Sequence, residues 1–289
     1  MKDFICLFLF LSVQFAGLQI FSQTIDSANL KDPENIFKLG QSNFSAKDFN
    51  SALNNFNDYT ALSPDSAKGY YYKAEIYIIQ KKYDVALENF DKALSLDTLF
   101  VRAYSGRAMV YLLLGNYDNA FKDFNKVLEI NPDDVSIYNL MAVAYSRQNK
   151  FDNALNCLNK AIEINPDYTD SYRQRSILYF FAGDTAKAFE DINKAIEINP
   201  KDPILYANRG GLYRSCEKYK EAVEDFNKAI NLDNGYAEAY ARRGVAYLYL
   251  GRYQEAVSDM EFGLKLDPSL SDVIDKYLKE AKEKLKKGE

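Results

Sequence analysis

The sequence predicts an all-α chain, an α-solenoid of seven helical hairpins closed by one further helix. Three observations predict it. The segments KALSLD, KVLEINP, KAIEINP, KAIEINP and KAINLD begin at Lys92, Lys126, Lys160, Lys194 and Lys228, each 34 residues after the last. A fixed period of that length marks stacked hairpins, because one hairpin cannot bury its apolar face alone. Small residues recur in phase. Position 20 of the repeat is Ala52, Ala86, Ala120, Ala154, Ala188, Ala222 and Ala256, and position 8 is Gly, Ala or Ser throughout. The prolines keep the same phase: Pro64, Pro132, Pro166, Pro200 and Pro268 stand at position 32, after the second helix, and none interrupts a predicted helix.

Taken in order, residues 1–22 read as a secretory signal. Lys2 supplies a positive start, Phe4 to Phe21 is the apolar run, and Ser22 is a small residue suited to cleavage. The expected chain then begins near Gln23, exported to a periplasm or secreted. The alternative is an uncleaved membrane anchor, against which Gln14, Gly17 and Gln19 count. Residues 23–32 form a linker. The register then covers 33–270 as seven units without insertion or deletion, starting at Pro33, Ala67, Val101, Val135, Thr169, Pro203 and Ala237.

Within each unit, positions 4, 8 and 11 share one face of the first helix, and positions 20, 24 and 27 one face of the second. Tyr fills position 4 from Tyr70 to Tyr240 and position 11 from Tyr77 to Tyr247, beside the small residues that let the backbones approach. At position 15, Gly115, Asn149, Gly183 and Gly251 tolerate a left-handed turn. Asp32 and Asp202 precede Pro33 and Pro203 as candidate caps. Residues 271–289 form a capping helix with the apolar stripe Ile274, Tyr277, Leu278, Ala281 and Leu285.

Composition narrows the function. The chain has no His, which excludes a Ser-His-Asp triad and a His-based zinc site. No phosphate loop, CxxC pair or nucleophile elbow occurs. Neither catalytic residues nor a metal or cofactor is expected. The net charge of -5 offers no basic footprint for nucleic acid. Cys157 and Cys216 lie two units apart and read as free thiols.

One pairing stands out. Position 7 is Arg107, Arg175, Arg209 and Arg243 in units 3, 5, 6 and 7, and position 23 of those same units is Asp123, Asp191, Asp225 and Asp259. The other units carry Leu39 with Asn55, Lys73 with Asn89, and Met141 with Cys157. Matched occurrence within a unit predicts structural ion pairs joining its two helices.

This pattern resembles the tetratricopeptide repeat family over residues 33–270, with local departures at Ile36, Asn43, Tyr59, Thr98, Thr185 and Asn234. The resemblance implies a right-handed superhelix whose concave groove is lined by positions 2, 5, 6, 9, 12 and 13 of the first helices. Those positions hold Tyr71, Tyr72, Met109, Leu112, Val143, Ile177, Phe180, Val245, Leu248 and Tyr249, with Arg147, Arg173, Arg214 and Arg242 between them. The family's clamp for an acidic C-terminal tail is absent: Arg173, Asn208 and Arg242 fit it, but Ile177 and Glu238 do not. The implied function is a non-catalytic scaffold holding a peptide or partner subunit in the groove, without nucleic acid and without stable membrane insertion once the signal is removed. The alternatives are a carrier of an apolar small molecule or lipid, or an accessory subunit of an envelope enzyme complex.

Overall fold

The computed structural model describes residues 32–288, so the predicted signal and all but the last residue of the linker lie outside the described residues. The first helices of the hairpins are α1 (Pro33–Ser45), α3 (Ala67–Ile79), α5 (Val101–Leu113) and α7 (Val135–Arg147), then α9 (Thr169–Phe181), α11 (Pro203–Ser215) and α13 (Ala237–Tyr249). The second helices are α2 (Phe49–Leu62), α4 (Tyr83–Leu96), α6 (Tyr117–Ile130) and α8 (Phe151–Ile164), then α10 (Thr185–Ile198), α12 (Tyr219–Leu232) and α14 (Tyr253–Leu266). A 3-10 turn at Pro268–Leu270 leads into α15 (Ser271–Lys287). No strand occurs among the described residues, and no described helix is long and apolar enough to cross a membrane.

Each hairpin turns on one left-handed residue. Position 15 has positive φ in all seven units: Gly115, Gly183 and Gly251, Asn149, and also Lys47, Lys81 and Glu217. The sequence had pointed to only four of these. The geometry is imposed by the turn itself, in which the amide of position 16 donates back to the carbonyl of position 11, as Lys82 does to Tyr77 at 2.8 Å. Asp48, Asn116 and Asp184 then cap the second helix from position 16. Asp32 and Asp202 cap the amides of Glu34 and Ile204 ahead of the two N-terminal prolines.

The core is a column running the length of the solenoid. All seven position-20 alanines are fully buried, as are Phe56, Phe90, Phe124, Leu158, Ile192, Phe226 and Met260 at position 24. Close approach explains the small residue at position 8: a Cβ on Gly40 would stand 2.7 Å from the Phe56 ring, and one on Gly244 would stand 2.7 Å from Met260 Cγ. The position-4 tyrosines tie successive units together. Tyr138 and Tyr206 donate their hydroxyls to the carbonyls of Pro132 and Pro200, both at 3.1 Å.

First helices of successive hairpins touch from α3 through α13, so they form the inner layer and the second helices the outer one. At the C-terminal end α15 packs on α13 and α14, burying Ile274 and Ala281. Leu285, placed in the predicted stripe, is instead 38% exposed in the last turn of α15.

Candidate binding groove

The arginines at position 7 are structural clamps with three arms. Arg107, Arg175, Arg209 and Arg243 each give Nε and Nη2 to Asp123, Asp191, Asp225 and Asp259 of the same unit, at 2.6–2.8 Å. The aspartates are nearly buried, so the fork satisfies charges that would otherwise be costly. The third arm was not foreseen. Nη1 reaches back to position 25 of the preceding unit: Asp91, Asn159, Asn193 and Asn227. The signal was present, because position 25 is Asn or Asp in each of the first six units. Tyrosines at positions 4 and 11 bracket the guanidinium, as Tyr240 and Tyr247 do at 5.4 and 5.7 Å from Arg243.

The inner face divides the expected groove residues. Met109, Val143, Ile177 and Phe180 are half-buried on successive first helices. Leu112 does not belong with them. It is 1% exposed, enclosed in the core cluster with Met109, Leu140 and Val143 packed around it, because position 12 of α5 falls into the seam against α7. Val245 and Leu248 are likewise 4% and 5% exposed. There α15 lies where an eighth first helix would come, and its Ile274 and Ala281 share their core cluster. Tyr249 remains 51% exposed, stacked on Tyr219 at 5.0 Å.

Tyr71 and Tyr72 are half-buried and differ in their partners. The Tyr72 ring stacks on Phe56 at 4.9 Å and its hydroxyl accepts from Gln41 Nε2 at 2.9 Å. Tyr71 packs against Phe90 and Phe100, and burial raises its phenol well above the ordinary range.

Two arginines expected to orient a ligand are already engaged. Arg173 Nε donates to Asp170 Oδ1 at 2.8 Å, one turn before it on α9. Arg242 Nη2 is bonded to Glu238 on α13. Arg147 spans the seam between α5 and α7, donating Nη1 to the Leu112 carbonyl at 3.1 Å while its side chain stays largely exposed. Arg214 is half-buried near the exposed end of α11. Around Arg173 the inner edge is crowded with charge: burial raises the Asp202 carboxyl, and pushes the Tyr236 phenol up to about 12.

Two groove residues escaped the sequence reading. Phe181, at position 13 of unit 5, is 75% exposed, the most exposed aromatic among the described residues. It lies beside Phe180, their centroids 6.2 Å apart, and it occupies one of the six groove positions. Glu75, at position 9 of unit 2, lies one turn after Tyr71 on α3, and burial drives its carboxyl up to about 7. Neither thiol is paired; Cys157 and Cys216 are both half-buried, and burial holds Cys157 at about 11. No group of three or more Cys, Asp and Glu able to hold a metal ion occurs among the described residues.

Tetratricopeptide repeat family models match residues 99–167, 139–203 and 237–270, and a TPR repeat model matches 210–251. A model of anaphase-promoting complex, cyclosome, subunit 3 matches 19–93. Among solved structures, a tetratricopeptide repeat protein from Parabacteroides merdae aligns at TM-score 0.71 and 23% identity, over 86% of this chain and 98% of that one. Yeast Tom70 aligns at TM-score 0.72 and 24% identity, over 91% of this chain and 56% of that one. A chain of the APC/C hetero-tetramer Cut9-Hcn1 aligns at TM-score 0.67 and 19% identity, over 86% of this chain and 48% of that one. This chain therefore spans about half the length of the last two, and at these identities the likeness is one of fold. No curated protein matches the sequence.

Proposed function

We propose that this chain, which belongs to the tetratricopeptide repeat family, is an exported binding scaffold that holds a partly apolar segment of another protein on its inner face around units 3 to 6. One observation carries the reading. Phe181 stands 75% exposed at the groove edge, and half-buried Phe180, Ile177, Val143 and Met109 continue from it across three neighbouring first helices. A contiguous apolar strip costs solubility when left open, whereas single exposed apolar residues need no account. Segments laid in such grooves are anchored by a few apolar side chains and oriented by polar ones at the rim. Arg147 and Arg214 are the rim cations suited to that role, since Arg173 and Arg242 are each paired with a carboxylate.

The test is binding of a partner captured from native envelopes, compared between the unaltered chain and the variants Phe181→Asp and Val143→Asp. Loss of that partner with helicity and melting temperature intact supports the groove. Retention by both variants moves the site elsewhere, and displacement by lipid extract alone makes the chain a carrier. Export rests on the signal read in residues 1–22. N-terminal sequencing of the protein from its host is expected to begin near Gln23, and recovery of Met1 on a membrane-embedded chain overturns it.

A further inference from the structure

We infer, on the reading of the groove given above, that its N-terminal end holds a subsite for a cationic side chain of the bound segment, a lysine ammonium or an arginine guanidinium, built from Glu75, Tyr71 and Gly106. Tyr71 and Glu75 are one turn apart on one face of α3. Across the seam, Gly106 on α5 presents bare backbone. Glu75 Oε1 lies 3.2 Å from where a Cβ would stand there, and that same Cβ would come within 2.5 Å of Phe90 Cζ. The Phe90 ring therefore requires glycine at 106, and the Glu75 carboxylate packs over that bare backbone on the inner face between units 2 and 3. The Tyr71 ring meets Tyr72 edge to face at 5.3 Å, giving an aromatic surface next to the carboxylate. Met109 follows Gly106 by one turn on α5 and continues that surface toward units 3 to 6.

The electrostatics select the ligand. Burial is the main influence on Glu75 and opposes its ionisation; the Tyr71 hydroxyl and the exposed Arg102, one turn before Gly106 on α5, favour the charged form and only partly offset it. A carboxyl left near neutrality in its titration lacks a full counter-charge where it lies. A cation arriving from the groove completes that charge, and its methylene stem covers the aromatic surface. An anion would be repelled, and an apolar group would remove the remaining water without replacing it. Glu75 is thus an anchor three units before Phe181, which gives the bound segment a direction: a basic residue toward units 2 and 3, apolar residues toward units 3 to 6.

The experiment reads Glu75 directly in the unaltered protein. Its carboxyl carbon is followed by NMR against pH in chain labelled with 13C-glutamate, the resonance being assigned by its loss in Glu75→Gln. The probes are n-butylammonium and n-butylguanidinium chloride, with n-butanol and sodium chloride as controls at matched concentration and ionic strength. With either cation the titration midpoint is expected to fall by about one unit or more, a tenfold preference for the ionised form. Neither control moves it. A midpoint that is the same with cation and controls overturns the subsite, whatever the outcome at Phe181 and Val143. Conversely, loss of the apolar strip as a site leaves this readout unchanged, so the two failures are separable. Tyr71→Phe retains the carboxylate and is expected to keep the cation response.

Discussion

Arg209 Nε and Nη2 donate to Asp225 Oδ2 and Oδ1 at 2.8 and 2.7 Å, so a planar fork closes α11 onto α12. The remaining Nη1 donates to Asn193 Oδ1 on α10 at 2.7 Å, so the same guanidinium also closes unit 6 onto unit 5. Exposed ion pairs are worth ~0–1 kcal/mol, but here Asp225 is nearly buried and the geometry is bidentate. A double-mutant cycle with Arg209→Met and Asp225→Leu is expected to give a coupling above that range. Additive effects in thermal unfolding would assign the matched Arg and Asp another cause.

Asn193→Ala removes only the arm between units. It is expected to cost about 1 kcal/mol, the net worth of a typical hydrogen bond, because this arm is exposed, without changing the helical content. Urea titration of the single variant and of Asn193→Ala combined with Arg209→Met checks it, since the loss should vanish once the arginine is gone.

Position 8 sets the helix spacing. Gly244→Ala would push a Cβ to 2.7 Å from Met260 Cγ and 2.9 Å from the Ala256 carbonyl, of which the second cannot move aside. Overpacking of this kind costs ~1–3 kcal/mol. Ala154→Leu, at a fully buried site in a central unit, is expected to cost at least as much, because neither neighbour can retreat. An unchanged melting temperature for either variant would contradict the packing.

At position 15, Glu217 has φ 59°, a left-handed conformation that costs an L side chain ~1–2 kcal/mol. Glu217→Gly relieves it at some cost in unfolded-chain entropy, so a net gain of about 0.5–1 kcal/mol is expected. Gly115→Ala, at φ 73° with open space around it, should lose a similar amount through the backbone alone. Chemical denaturation of both measures the pair.

Glu75 makes stability depend on pH in the direction opposite to a salt-bridged acid. Its folded carboxyl is raised from 4.5 to about 7, so between those values the folded chain holds a proton that the unfolded chain has lost. Stability from this group therefore falls as pH rises through the window, by up to about 3 kcal/mol above it. Glu75→Gln is expected to be more stable than the unaltered chain at pH 8 and equal to it near pH 4. Melting curves at the two pH values decide the matter, and a constant difference would show that burial does not act on this carboxyl.

The sequence by itself determined the hairpin. A 34-residue register places Ala154 against its partner helix and Arg209 within reach of Asp225, because both contacts lie inside one unit, where helix geometry and chain spacing leave one arrangement. The tertiary structure decided what happens between units. Asn193 meets Arg209, Leu112 sinks into the α5–α7 seam, and Glu75 comes to rest over Gly106 only when neighbouring first helices reach their final separation and tilt. That separation depends on the summed volumes of side chains from two or three units, which no single position reports. The groove followed the same rule: its positions were implied by the family resemblance, but Phe181 is open and Leu112 closed because inter-unit packing, rather than hydrophobicity, sets which side chain the solvent reaches.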